Sequence, residues 1–250
     1  MAIKIINSKA EVKALITPII NGYSLTRQEV FIKQINTALL KKKIRFPILE
    51  YATREIIKVI PEKEQICFVD SIISLDEIGG NVIAGIVLQE RLAKYAMASI
   101  NKAVEYIIRG DQWYVCDIIG ERVMGYALLT DPGKTIPVLR KFAKHPDKWV
   151  VRCIGVATHY ATKKGLKKND AEQMFQLLLT LSYTTEFHTK KGIGWAAKTI
   201  SKFHPGIIAK YKTTIEQDDK IKQWFKTKIK IGLGRSFKYA AKYSDKDLKR

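Results

Sequence analysis

Within DQWYVCDIIGERV, residues 111–123, Trp113 and Asp117 stand four apart, so on a helix both side chains share one face. On a 3.6-residue wheel Trp113, Asp117, Gly120 and Met124 fall on that face, while Val115, Ile118, Ile119 and Tyr126 take the opposite one as the core side. A fixed carboxylate and the π cloud of an indole both favour positive charge that develops between them. Other chemistries find no footing. There is no Gly-rich phosphate loop, nucleophile elbow or paired catalytic carboxylate. His145, His159, His188 and His204 lack paired ligand spacing, so neither a metal nor another cofactor is expected. Cys67, Cys116 and Cys153 lie scattered in apolar patterns and read as reduced core thiols rather than a disulfide framework.

The charge is distributed unevenly. The net +20 arises from 44 basic and 24 acidic residues, of which 17 and 14 precede residue 126 and 27 and 10 follow it. The positive field therefore belongs to the second half, which implies a polyanionic partner, nucleic acid first and an anionic membrane surface second, because clustered cations gain by releasing counterions condensed on phosphates. No signal peptide and no apolar run of membrane-spanning length is visible, so a cytoplasmic protein without membrane contact is expected, nucleoid-associated if bacterial.

The elements that must carry these residues are helices. Apolar residues recur at helical spacing in LTRQEVFIKQINTALLKKK, NVIAGIVLQERLAKYAMA, AEQMFQLLLTLSYTT and GWAAKTISKF, and no alternating strand is found. Pro47, Pro132, Pro137, Pro146 and Pro205 mark helix starts or joints, and Asn81, Asp111, Asp147 and Asn169 are candidate N-caps. Residues 61–80 are expected to be a helix plus a loop ending at Gly79-Gly80. With 46% hydrophobic residues in 250, the chain can bury a substantial core without staples.

Laid over one another, the helices repeat. VIAG (82–85), DIIG (117–120), RCIG (152–155) and KGIG (191–194) align, their glycines about 35 to 39 residues apart, a period typical of helix-pair solenoids. In that register Asp117, Arg152 and Lys191 are equivalent, so one helix line carries an acid followed by two cations. The expected architecture is an all-α helical-repeat solenoid of one domain, residues 1–250, with divergent helices over 1–75, the best-matching repeats over 80–215 and a basic C-terminal helix and tail over 216–250.

Three strings carry a resemblance: DQWYVCDIIGERVMG, HPDKWVVRCIGVATHYATKKG and FHTKKGIGWAAKTISKFHPGIIAKY. They resemble successive repeats of the AlkD-type DNA alkylpurine glycosylases, whose HEAT-like solenoids are entirely helical. The resemblance covers about residues 80–215. It implies an active cleft built from an aromatic and an aspartate one turn apart, here Trp113 and Asp117, an arginine in the next repeat, Arg152 in WVVRCIG, and a tryptophan in the one after, Trp195 in IGWAAK. Lys198 stands where the family more often has Arg, and residues 1–75 offer no motif that aligns.

What the resemblance implies is a monofunctional glycosylase acting on positively charged 3- or 7-alkylated purines in duplex DNA, working as a monomer in a concave basic cleft without a deep base-flipping pocket. A cationic base leaves without a general acid. Asp117 would stabilise charge developing at the sugar, Trp113 and Trp195 would pack against the sugar–base junction, and Arg152 would hold a phosphate. Lys191, Lys198, Lys163, Lys164 and Lys190 are candidates for the backbone track. Asp117 and Arg152 also stand where they would pair across adjacent helices. Trp149, near a helix start, reads as core. Phe237, Tyr239 and Tyr243 in the basic tail suit either a nucleic-acid contact or a capping helix. Two other readings stay open: a non-catalytic HEAT-repeat protein that binds distorted or branched DNA, and a scaffold whose concave face takes an acidic peptide.

Overall fold

The computed structural model of the chain describes residues 5–24 and 27–236. Of the described residues 79% are helical, and their one extended contact is a parallel bridge between Ile6 and Ile44. The all-α expectation holds. By packing, the chain divides into two compact units, Met1–Tyr106 and Ile107–Arg250.

In the first unit, Ser8 caps α1 (Lys9–Asn21) by accepting from the Glu11 amide. There follow α2 (Gln28–Ile35), which widens into a π turn over Asn36–Leu40, then α3 (Phe46–Ile56), α4 (Gln65–Ile73) and the start of α5 (Ile78–Gly110). The backbone of α5 leaves helical geometry at Tyr95 (φ −131°, ψ 49°). Ile16, Ile35, Leu39, Ile56, Ile72, Ile83 and Leu88 form the interior of this unit, and the buried Tyr106 hydroxyl donates to Asp70 at 2.8 Å. The stretch 61–80 differs from expectation. Its loop ends at Glu77, and Gly79 and Gly80 lie inside α5, where the tight approach of Leu40, Leu49 and Ile72 leaves little room for a side chain.

The second unit contains α6 (Trp113–Gly120), which passes through a π segment, Glu121–Gly125, into α7 (Tyr126–Thr130), then α8 (Pro132–Phe142), α9 (Lys148–Lys164), α10 (Lys168–Thr180), α11 (Phe187–Phe203), α12 (Pro205–Lys210), α13 (Lys212–Gln217) and α14 (Gln223–Leu233). The α6/α7 helix, α9, α11 and α14 pack side by side in chain order, while α8 lies on α7 and α9, and α10 on α8, α9 and α11. Three of the aligned glycines, Gly120, Gly155 and Gly194, sit at these seams. A Cβ on Gly120 would lie 2.8 Å from the Cys153 sulfur, one on Gly155 2.2 Å from the Gly192 carbonyl, and one on Gly194 3.0 Å from the Lys228 side chain. Small residues at one turn of each of these helices thus let its neighbour approach.

Several local expectations change. Pro137 is internal to α8; the hydrogen bond it forgoes would have gone to Gly133, which is exposed to solvent. Asn81 lies inside α5 and donates to the Ile78 carbonyl. Asn169 lies inside α10, whose first turn has no side-chain cap. Gly120 and Met124 are buried rather than open like Trp113, because Gly120 faces α9 and the π segment adds a residue to the turn and rotates everything after it. Cys67 is exposed, whereas Cys116 and Cys153 are buried as expected. Phe237, Tyr239 and Tyr243 lie outside the described residues. Among the described residues no helix is long and apolar enough to cross a membrane.

Candidate functional site

The site lies where α6, α9 and α11 run alongside one another. Two capping carboxylates set the second and third of these helices: Asp147 accepts from the Trp149 and Val150 amides at the start of α9, and Glu186 accepts from the His188 and Thr189 amides at the start of α11. Burial opposes the charge of Glu186, but the two amide bonds outweigh it and hold the carboxyl below its ordinary value.

The first helix is set differently. Asp111, expected as its N-cap, takes a positive φ of 40° and reaches across to α9, accepting from the Trp149 indole at 2.6 Å and pairing with Lys148 at 3.1 Å. The indole hydrogen bond, then the ammonium, keep its carboxyl below the usual range. Trp149 itself is buried, 2% exposed, with its ring against His188 at 4.3 Å, as its core reading requires. This anchoring places Trp113 as the first residue of α6, 54% exposed.

One turn on, Asp117 meets Arg152 in a bidentate pair, Oδ1 to Nε at 2.9 Å and Oδ2 to Nη2 at 2.8 Å. The side chains are 17% and 8% exposed. Arg152 donates a third bond, from Nη1 to the His188 carbonyl at 2.9 Å. Burial works against the guanidinium charge, yet the bonds and charge of Asp117 prevail and raise it above its already high ordinary value. The guanidinium is therefore turned to Asp117 and a backbone carbonyl and is nearly enclosed, so its visible work is to orient and hold the carboxylate.

Trp195 stands apart from this pair. Its indole stacks on His159, centroids 3.8 Å apart and planes at 23°, and His159 lies seven residues beyond Arg152 on α9, about 10 Å along the helix. Nδ1 of His159 is 2.7 Å from Thr199 Oγ1. Ligand spacing in the sequence does not reveal His159, because stacking across a seam leaves no such pattern; the seven-residue step from Arg152 places it on the same face.

Burial first, then the charges of Lys163, Lys198 and Lys202, push the His159 imidazole down to about 3. The folded protein thus holds it neutral at pH 7, while an unfolded chain takes up its proton near 6.5. Its contribution to stability is complete above about 6.5 and is lost as pH falls from there toward 3, because only the unfolded state binds the proton. Between pH 7 and pH 5 denaturant titrations should show wild type losing up to about 2 kcal/mol more than His159→Phe; equal losses would refute the buried neutral imidazole.

The lysines divide into groups. Lys190 and Lys191 sit in the first turn of α11 beside the exposed Phe187 ring, at 5.9 and 5.1 Å. Lys198 is partly buried, and burial, then the charges of Lys228, Arg235 and Lys202, hold its ammonium below the ordinary value. Lys163 and Lys164 end α9 next to Gly165, about 17 Å along the helix from Arg152, where they also offset the helix dipole. Cations thus extend from the carboxylate pair along α9, α11 and α14.

No curated protein and no solved structure matches the chain. The family described as DNA alkylation repair enzyme matches residues 43–226, reaching into the N-terminal part beyond the three strings that carry the resemblance. An ion-paired carboxylate beneath an exposed tryptophan and a cation-rich helix seam are compatible with acting on DNA. With the match spanning most of its length, the chain belongs to the DNA alkylation repair enzyme family and has a role in DNA repair.

Proposed function

We propose that this protein is a DNA glycosylase hydrolysing the N-glycosidic bond of positively charged 3- or 7-alkylated purines in duplex DNA, acting as a monomer. The observation that carries the reading is the Asp117 carboxylate, held in one orientation by Arg152 one turn below the exposed Trp113. In this reading the helix row continues a HEAT-like solenoid whose concave side is a basic cleft, with Lys190, Lys191, Lys198, Lys163 and Lys164 on the phosphates. Binding would then be largely independent of sequence and would weaken steeply with salt.

The chemistry follows from the charge of the lesion. The C1′–N bond breaks with its electron pair going to the purine, which leaves neutral, and the sugar carries the positive charge. Asp117 attracts that charge and accepts a hydrogen bond from the water that adds to C1′; the proton lost by the water passes to the carboxylate or to solvent, leaving an abasic site. Arg152 occupies one lone pair on each carboxylate oxygen, and the others remain for water and sugar. Trp113 covers the sugar–base junction from one side and Trp195 from further along the seam, excluding bulk water.

A second reading is favoured by the same pair: with both oxygens of Asp117 already bonded to Arg152, the pair serves as structure, and the protein binds distorted or branched DNA without excision. Release of free 7-methylguanine and 3-methyladenine from methylated duplex DNA separates the two. The glycosylase reading expects both bases from wild type, and about a tenfold slower release from Trp113→Ala with an unchanged melting curve, since that ring is mostly exposed. Salt-dependent DNA retention with no base released would establish the second reading instead.

A further inference from the structure

Thr199 and His159 form a small relay behind Trp195. The Thr199 hydroxyl, on a side chain almost wholly buried, donates to the Trp195 carbonyl at 2.9 Å. A hydroxyl has one proton. With that proton directed to the carbonyl, Oγ1 faces His159 Nδ1 at 2.7 Å as an acceptor, an arrangement that calls for the imidazole proton on Nδ1 and a lone pair on Nε2. The ring plane is then held by a hydrogen bond at one edge and by Trp195 on its face, 3.8 Å away.

We propose that His159 is a positioning residue for the lesion site: a neutral, Nδ1-protonated imidazole that sets the plane of Trp195 and keeps the indole's π density for a cationic base on its other face. This rests on the excision reading above. The charged groups facing His159 are Lys163 on its own helix and Lys198 and Lys202 on α11, all cations. An imidazolium in the stack would draw on the same π density through a cation–π contact and add a like charge against the lesion. The α9/α11 seam thus supplies an aromatic platform whose inner layer is uncharged although lysines surround it.

The reaction places two demands on such a platform. The ring must stay in one plane, because a misplaced group costs rate rather than affinity, and it must stay uncharged through the working pH range. His159→Ala removes the layer under Trp195; we expect kcat for 7-methylguanine release to fall about tenfold with little change in KM for DNA. His159→Phe restores an uncharged ring in the stack and should recover release to within about twofold of wild type. A Phe variant as slow as the Ala variant would overturn the stacking role.

A second measurement tests the geometry without activity. Nitrogen-15 shifts of the His159 ring, assigned by difference with His159→Phe, should show protonated Nδ1 and bare Nε2, unchanged from pH 8 to pH 5. A ring protonated at Nε2, or one that titrates near pH 6.5, would overturn the proposal. If wild type releases no base, the excision reading falls, and these shifts still decide whether the imidazole is the neutral layer under Trp195.

Discussion

Asp117→Asn should slow base release by about three orders of magnitude while the protein still binds DNA. The substitution keeps the shape of the side chain and one oxygen acceptor, and removes the negative charge. At about 4 Å and an effective dielectric of about 20, one charge opposite a developing sugar cation contributes up to about 4 kcal/mol, or about a thousandfold in rate. The variant also leaves Arg152, 8% exposed, facing an amide whose nitrogen cannot accept its hydrogen bond. Breaking buried pairs costs roughly 3–5 kcal/mol, and the partial exposure of Asp117 puts this case near the low end. Excision is therefore to be compared at a temperature where circular dichroism shows both proteins folded. Equal rates would remove Asp117 from the chemistry and leave it a structural partner of Arg152.

Alanine at Gly155 should lower the melting temperature by about 10 °C. Its Cβ would lie 2.2 Å from both the carbon and the oxygen of the Gly192 carbonyl and 2.6 Å from the Ile193 nitrogen. These are backbone atoms of α11 and cannot swing aside as a side-chain end would. The seam must open, undoing packing on both sides of two helices whose facing residues are buried, and overpacking of this kind exceeds the usual 1–3 kcal/mol. A cost of about 3–4 kcal/mol corresponds to that shift for a domain of this size. Gly206→Ala is the matched control. Nothing lies within 4 Å of a Cβ there, and in α12 the same change should be neutral or stabilising by up to about 1 kcal/mol. A Gly155→Ala protein that melts with wild type would show that the two backbones do not touch in solution.

Helix periodicity, the absence of alternating runs and the Gly spacing were enough to read an all-α chain and to align Asp117 with Arg152, because local propensity and amphipathic pattern depend on neighbours three and four residues away. The Asp147 cap and Pro47, Pro132 and Pro205 at helix starts were legible for the same reason. Pro137 was not: whether a helix tolerates proline depends on whether the carbonyl left unbonded meets water, and exposure is decided by packing.

The division at Tyr106 and the π segment after Gly120 also lie beyond local pattern. The chemistry of the pair shows the difference most clearly. An acid and an arginine 35 residues apart imply a pair only once α6 and α9 are side by side, and the direction in which the guanidinium points, to Asp117 and the His188 carbonyl rather than to an open face, depends on how closely three helices approach. The neutral state of His159 has the same origin. A histidine in a sequence has the proton affinity of imidazole in water, and only the desolvation and the three lysines that folding brings around it push that affinity down.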